Sequence, residues 1–168
     1  MNTKHAHTAF SAMQLFLLRH AEAEAQAATD EERPLTAKGV KQAKTMGRFC
    51  YEQQIVPRPI LCSPLARAEE TAKLVARELR MSDNVQVEDF LRAGMSPEQA
   101  LLGLEKYHER ASVMLVGHEP DLSELAGCFI GTRGESIHFR KAALLQISLP
   151  KLEPGAGSLE LFIPVKCV

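Results

Sequence analysis

Residues 14–20 read QLFLLRH, a short apolar run that ends in an arginine and a histidine. Such a run predicts a buried strand over residues 14–18. Two further apolar runs of strand length are also followed by small or polar residues: residues 60–62 before Ser63, and residues 112–116 before Gly117-His118. Short strands that alternate with longer helical segments indicate an α/β fold. The sequence therefore predicts a sheet whose strands carry related polar residues at their carboxyl ends.

The segments between these strands have helical features. Four helices are predicted: over residues 36–53, from Ser63-Pro64 onward, from Ser96 to about Arg110, and from Pro120 to about Ile130. Ser63 and Ser96 are residues typical of helix N-caps, and proline is typical of a first turn. A further strand is predicted over residues 84–88, and an antiparallel hairpin at the sheet edge over residues 142–149 and 158–165. We expect a three-layer α/β/α sandwich with a mixed, mostly parallel sheet.

Length and composition are those of one folded domain. The chain has 168 residues, of which 45% are hydrophobic and 24% are charged, and these values exclude a largely disordered chain. Twenty lysines and arginines against 21 aspartates and glutamates give a net charge of -1, which offers no general attraction to nucleic acid or anionic lipid. We expect residues 1–13 to form a flexible N-terminal tail and residues 14–168 to form a single domain.

The apolar stretches and the cysteines indicate the setting in which the chain works. The apolar stretches are of strand length, so none is long enough to span a membrane. Cys50, Cys62, Cys128 and Cys167 lie far apart and form no C-x-x-C pair, which favours reduced thiols over a zinc site or a disulfide framework. We therefore expect a cytoplasmic protein with neither a membrane nor a nucleic-acid partner.

Four residues near predicted strand ends have the chemistry of an anion site. They are Arg19 and His20 after the first strand, Arg67 in the first turn of a helix, and His118 after a later strand. The carboxyl ends of neighbouring strands in an open α/β sheet share one crevice, where ligands bind. Arginine suits phosphate because its planar fork donates two parallel hydrogen bonds. The pattern favours a site for a phosphoryl group.

Four motifs resemble those of the histidine phosphatase superfamily, whose fold is phosphoglycerate-mutase-like. They are LRHA at residues 18–21, RPLTAKG at 33–39 followed by QA at 42–43, SPLARA at 63–68 followed by TA at 71–72, and VGHEP at 116–120. The motifs occur in the family's order, and the ordered set is specific although each short motif alone is not. The short length and the R-H-A variant are most similar to the small SixA-type phosphohistidine phosphatases.

The resemblance implies roles for the four site residues. His20 would be the nucleophile that forms a transient phosphohistidine, and Arg19, Arg67 and His118 would bind the phosphoryl oxygens. Nearby guanidinium groups also disfavour protonation of His20, which must be neutral to attack. Phosphoryl transfer needs mostly positioning and charge stabilisation. We therefore expect neither a metal nor another cofactor.

One departure from the family pattern bears on the substrate. Members that cleave phosphate esters have a general-acid glutamate four residues before a glycine, but residues 88–94 read EDFLRAG and place Phe90 there. An alkoxide leaving group needs a proton donor, whereas an imidazole departs neutral with little acid help. The sequence favours hydrolysis of phosphohistidine on a partner protein, such as a histidine-phosphotransfer domain or a phosphocarrier.

Two alternative functions stay open from the sequence. The first is a phosphatase of small phosphate esters that uses Glu88 or Asp89 as its acid. The second is a non-catalytic adaptor module that binds phosphate. The second is disfavoured because pure binding does not require a nucleophile such as His20.

Overall fold

A computed structural model describes residues 12–168. Within these residues, six strands form one sheet: β1 (Met13–Arg19), β2 (Ile60–Cys62), β3 (Val85–Val87), β4 (Ser112–Gly117), β5 (Leu144–Leu149) and β6 (Ser158–Ile163). Four α-helices lie between the strands in the chain: α1 (Ala37–Glu52), α2 (Ala66–Glu78), α3 (Pro97–Leu104) and α4 (Asp121–Ile130).

The sheet is mixed, and its strand order is β3-β2-β4-β1-β5-β6. The pairs β3 with β2, β2 with β4 and β4 with β1 are parallel. Beyond β1, the hairpin of β5 and β6 continues the sheet with antiparallel pairs. This topology confirms the predicted mixed, mostly parallel sheet. Because β5 runs antiparallel to β1, the residues just before β5 reach the carboxyl end of β1.

Alternate residues of β1 face opposite layers of the molecule, as the geometry of a strand requires. Leu15 and Leu17 belong to a core that includes buried residues of α3 and α4. Phe16 and Leu18 belong to a second core that includes buried residues of α1 and α2. Burial of each such side chain contributes about 1.5–3 kcal/mol, so both layers stabilise the strand. Helices on both faces of the sheet confirm the predicted three-layer arrangement.

The start of α1 holds the loop that follows β1. Thr36 is the N-cap of α1, and its side-chain oxygen accepts a hydrogen bond from Gly39 N at 3.0 Å. A Cβ at Gly39 would lie 1.9 Å from the carbonyl oxygen of Glu22, so only glycine allows this close approach. The same carbonyl accepts a hydrogen bond from Thr36 N at 3.0 Å. The loop beyond His20 is therefore fixed against the first turn of α1.

Helix α2 begins later than the sequence pattern predicts. Its N-cap is Leu65 and its first residue is Ala66, so Ser63 is not the cap and Pro64 does not lie in the first turn. Ser63 Oγ instead lies 2.8 Å from His118 Nε2 and accepts a hydrogen bond from Leu65 N at 3.3 Å. The Ser63 hydroxyl therefore links the carboxyl ends of β2 and β4 and does not cap the helix.

Helix α3 has the predicted start and an earlier end. The capping box at Ser96 is present. The helix ends at Leu104 and gives way to a tighter 3₁₀ turn over Glu105–Tyr107, short of the predicted end at Arg110. The Tyr107 side chain of this turn is buried in the core. None of the helices in residues 12–168 is long and apolar enough to cross a membrane.

Strand β1 begins at Met13, inside the segment predicted to be a tail. The Met13 side chain is buried in the core, and its backbone pairs with Leu149 of β5. The apolar side chain and its partner strand draw this residue into the sheet. Residues 1–11 of the predicted tail lie outside the described residues.

The four cysteines are free thiols, as their spacing predicts. Burial raises the pKa of both Cys50 and Cys62 to about 12. Since the thiolate is the reactive form, neither residue is a nucleophile at neutral pH. Cys62 therefore belongs to the core even though it directly precedes Ser63.

Candidate active site

The carboxyl ends of β1, β2 and β4 meet at one edge of the sheet. Arg19 pairs with Gly117, and His20 N donates to the Gly117 carbonyl at 3.0 Å. On the other side of β4, Ser63 N donates to the Val116 carbonyl at 3.0 Å. Ligands of open α/β sheets bind outside this edge. The residues that follow three neighbouring strands therefore lie side by side, as the sequence predicts.

His20 is buried, with 4% of its surface exposed, and its Nδ1 lies 2.8 Å from the carbonyl oxygen of Ala21. A carbonyl oxygen only accepts hydrogen bonds, so Nδ1 carries the ring proton and Nε2 carries the lone pair. Burial lowers the pKa of His20 to about 2, and the positive charge of Lys141 adds to this effect. The ring is therefore neutral at pH 7, with its lone pair on Nε2.

His118 lies beside His20, with the two ring centroids 5.2 Å apart. Its Nε2 is 2.8 Å from Ser63 Oγ, the atom that also accepts a hydrogen bond from Leu65 N. Burial, followed by the charge of Arg67, lowers the pKa of His118 to about 4. Both histidines are thus neutral in a site that also holds arginines.

Arg67 lies in the first turn of α2 with only 4% of its surface exposed. Its Nη1 donates to the backbone carbonyl of Asp30 at 2.7 Å, and its Nη2 donates to the Asp30 carboxylate at 3.1 Å. The same carboxylate accepts a hydrogen bond from Arg33 Nε at 2.8 Å. Asp30 therefore orients the Arg67 guanidinium from the loop after β1, a role that no local pattern in the sequence indicates.

Three buried side-chain nitrogens in the described residues have no hydrogen-bond partner, and all belong to predicted site residues. They are Arg19 Nε, Arg67 Nε and His118 Nδ1. The Arg19 guanidinium is held in place by Nη1, which donates to the Phe139 carbonyl at 2.6 Å. Buried polar groups are nearly always paired, because an unsatisfied one costs about 1–3 kcal/mol. The charges of Arg19 and Arg67 both act on His118, so the three side chains lie near one another and their free N–H groups suit an oxyanion.

Lys141 also lies beside His20, although no pattern in the sequence singles it out. Its Nζ lies 3.3 Å from His20 Nε2. Burial, followed by the charges of Arg19 and Arg67, lowers the pKa of Lys141 to about 8. The residue comes shortly before β5, and only the antiparallel pairing of β5 with β1 brings it to His20. A lysine at the start of the last hairpin was the available signal, and it is weak on its own.

The two carboxylates considered as general acids have other partners. Both oxygens of Glu88 accept hydrogen bonds from Lys106 Nζ at 2.8 Å, and one also accepts from the Tyr107 hydroxyl. The Asp89 side chain is 91% exposed and lies beside Arg92. Phe90, at the family's acid position, packs against α3. The geometry therefore provides no support for an acid at residues 88–90.

In the part of the chain that the structure describes, no three acidic, histidine or cysteine side chains come together in a way that could hold a metal ion. The expectation that no metal is needed stays a prediction, and phosphate release measured in EDTA tests it.

The buried neutral histidines make the stability of the protein depend on pH. An unfolded histidine titrates near pH 6.5, whereas the folded-state pKa of His118 is about 4. Between these values the unfolded chain binds more protons, so the stabilisation is complete above pH 6.5 and is lost as the pH falls toward 4. We expect His118 alone to lower the free energy of unfolding by about 2 kcal/mol between pH 7 and pH 5.

Urea denaturation at pH 7 and pH 5 measures this loss. The substitution His118→Gln should remove about 2 kcal/mol of the pH dependence. The matched variant His108→Gln, at an exposed position, should keep the wild-type dependence. Equal pH dependence in the wild type and His118→Gln would contradict the prediction.

Comparison with known proteins identifies the family. The histidine phosphatase superfamily (branch 1) matches residues 15–94, a segment that contains Arg19, His20 and Arg67. The phosphohistidine phosphatase SixA of Escherichia coli (strain K12) is 31% identical over 110 residues, which are 64% of this chain and 68% of that protein. The phosphohistidine phosphatase SixA homolog of Haemophilus influenzae is 30% identical over 145 residues, 80% of this chain and 87% of that protein.

The fold is similar to that of solved SixA structures. The protein histidine phosphatase SixA complexed with tungstate has a TM-score of 0.84 and 25% sequence identity, and the match covers 92% of this chain and 99% of that one. Because the match covers 92% of this chain, the likeness in fold extends beyond the segment that the family motifs cover. With the sequence similarity to two SixA proteins, it shows that this chain belongs to the histidine phosphatase superfamily and is a SixA-type phosphatase.

Proposed function

We propose that this phosphatase hydrolyses phosphohistidine on a partner protein through a covalent phosphohistidine formed on His20. The observation that carries the proposal is the set of unpartnered buried nitrogens on Arg19, Arg67 and His118 beside a neutral histidine. Such a set suits a tetrahedral oxyanion. The related SixA structure was solved with tungstate, which is also a tetrahedral oxyanion.

His20 is the proposed nucleophile. Its Nε2 lone pair attacks phosphorus while the bond from phosphorus to the substrate nitrogen breaks. The contact from Nδ1 to the Ala21 carbonyl holds the ring in the reactive tautomer and stabilises the positive charge that the ring gains. Water then attacks the phosphohistidine, releasing inorganic phosphate and restoring neutral His20.

Arg19, Arg67 and His118 are the proposed phosphoryl-binding groups. The transition state spreads negative charge over three equatorial oxygens, so catalysis depends on positioned cations and N–H donors. When the Ser63 hydroxyl donates to His118 Nε2, the proton of that ring lies on Nδ1, where it serves as a neutral donor. The Asp30 and Phe139 contacts set the two guanidinium groups before substrate arrives, which lowers the cost of ordering them.

The substrate class follows from the leaving group. Phosphohistidine that carries a proton on its other ring nitrogen releases a neutral imidazole and needs no acid from the enzyme, whereas an ester needs a proton donor for its alkoxide. The carboxylates of Glu88 and Asp89 are engaged by Lys106 and Arg92 and do not supply one. The names of the relatives, which are phosphohistidine phosphatases, support the same class. A histidine-phosphotransfer domain or a phosphocarrier is the partner we propose.

The test compares phosphate release from a phosphohistidine-bearing phosphotransfer domain with release from a panel of small phosphate esters, in EDTA. We expect the protein substrate to have a kcat/KM roughly 10²-fold or more above that of the esters, because the esters lack an acid. Loss of activity in EDTA would contradict the expected independence of metal. Release from the esters alone would favour the small-ester alternative.

The double variant Glu88→Gln with Asp89→Asn serves as the control for that alternative. On the proposed mechanism it hydrolyses phosphohistidine nearly as fast as the wild type. A fall of several orders of magnitude would return one of these carboxylates to the reaction as its acid.

A further inference from the structure

Lys141 is placed against the attacking atom of the proposed reaction. Its Nζ lies 3.3 Å from His20 Nε2, the nitrogen that carries the lone pair. The side chain is partly buried, and desolvating an ammonium among other cations is costly. A cation kept at this position at such a cost is a candidate for a role in the chemistry.

The backbone around Lys141 is fixed to the end of β1. Ala142 N donates to the His20 carbonyl at 3.3 Å, and Arg19 N donates to the Ala143 carbonyl at 3.1 Å. Ala142 has a φ of +54°, a left-handed conformation that alanine rarely adopts and that tertiary contacts must hold. The two hydrogen bonds and the left-handed backbone at Ala142 fix this segment so that Lys141 contacts His20.

We propose that Lys141 is a catalytic residue that binds an equatorial oxygen of the phosphoryl group as His20 attacks it. This inference rests on the proposed function. In the free enzyme the ammonium donates a hydrogen bond to the Nε2 lone pair. When substrate binds, the ammonium releases the lone pair and pairs with the phosphoryl oxygen nearest to it. No proton is transferred in this exchange, and the bond changes at phosphorus are those given above.

In-line geometry distinguishes this role from that of a general acid. The attacking and leaving nitrogens stand on opposite sides of phosphorus, and the three equatorial oxygens lie between them. A group within 3.3 Å of the attacking Nε2 is on the entering side, so it reaches an equatorial oxygen and not the leaving nitrogen. Lys141 therefore adds a charge to the phosphoryl site and does not replace the missing acid.

The charges around Lys141 are mainly positive. The charges of Arg19, Arg67 and Arg33 act on it, and Glu22 is the opposing negative charge. Burial and these cations hold its pKa near 8, so the ammonium form still dominates at pH 7. A phosphoryl dianion relieves this repulsion, which makes the cluster more favourable with substrate bound than without it.

The experiment measures binding of inorganic phosphate by calorimetry and turnover of the phosphohistidine protein in Lys141→Met. We expect phosphate affinity to fall about tenfold or more, because one hydrogen bond to a charged group is lost. We expect kcat/KM to fall roughly 10²-fold. The variant Lys141→Arg, which keeps the charge, should recover part of both. The control is Lys151→Met, an exposed lysine in the turn after β5, at the opposite edge of the sheet from the site, and it should behave as the wild type.

Two further measurements separate this role from a structural one. Removing the Lys141 charge should raise the pKa of His20, because that charge disfavours the imidazolium. Nitrogen-15 NMR across a pH series measures this pKa. The free energy of unfolding should stay the same or increase, because repulsion among cations is removed. A large loss of stability with no change in the His20 titration would overturn the proposal.

The outcomes also separate this proposal from the proposed function. Phosphate affinity and turnover of Lys141→Met equal to those of the wild type would overturn the role of Lys141 and leave the proposed function intact. A wild type that binds phosphate but hydrolyses no phosphohistidine would overturn the proposed function. In that case weaker phosphate binding by Lys141→Met would still support Lys141 as a phosphoryl-binding residue.

Discussion

Replacing His20 with alanine is expected to lower kcat/KM for phosphohistidine by roughly 10⁴-fold or more. The reason is that the covalent intermediate needs a lone pair at Nε2, and the remaining site residues bind the phosphoryl group without attacking it. Binding of inorganic phosphate should persist in His20→Ala, because Arg19, Arg67 and His118 are unchanged. Steady-state phosphate release and calorimetry measure the two quantities separately.

The matched control is His108→Ala, which removes an exposed histidine and should keep wild-type activity. Rapid quenching of the wild type with radiolabelled substrate should trap a label that is stable in alkali and lost in acid, and peptide mapping should place it on His20. A His20→Ala enzyme that keeps near-normal turnover, or a trapped label elsewhere, would show that His20 is not the nucleophile.

Replacing Arg67 with methionine is expected to lower kcat/KM by about 10³-fold, the effect of removing one strong donor to the transition-state charge. Stability should change by only about 1 kcal/mol or less, because the partner carboxylate of Asp30 is 64% exposed and is not left buried without a counter-ion. The substitution should therefore lower activity strongly while it changes the free energy of unfolding only slightly. Phosphate release and urea denaturation of the same preparation measure both effects.

The control for Arg67 lies on the same helix. Arg77→Met removes an exposed arginine near the other end of α2 and should leave activity unchanged. Arg67→Lys should recover only a small part of the loss, because an ammonium lacks the planar fork that binds two oxygens. Full activity in Arg67→Lys would mean that charge alone suffices, and a large loss in Arg77→Met would mean that the effect is not local.

The strand ends of the site could be predicted because the pattern that specifies them is local. The apolar residues 14–18 and 112–116 are followed directly by Arg19-His20 and by Gly117-His118. Parallel strands bring their carboxyl ends to one edge of the sheet, so the convergence of these residues follows from the fold class. Arg67 could be placed near them because it lies in the first turn after a third strand.

The start of α2 shows where local pattern misleads. Ser63-Pro64 has the composition of a helix start, but the Ser63 hydroxyl contacts His118, which is 55 residues away in the chain. A side chain that can cap a helix can equally bond to any neighbour that the fold brings near. The choice depends on the approach of β4 to β2, which local pattern does not encode.

The sequence by itself determined the fold class, the motif order and four residues that meet at the candidate site, because the period of apolar residues, the strand ends and the motif spacing are properties of neighbouring residues. Only the tertiary structure decided that Lys141 faces His20 and that Asp30 holds Arg67. Those contacts join residues 121 and 37 positions apart through the pairing of β5 with β1 and the folding of a loop onto α2. The depressed pKa values of His20 and His118 arise in the same way, since burial and neighbouring charge exist only after the layers have packed.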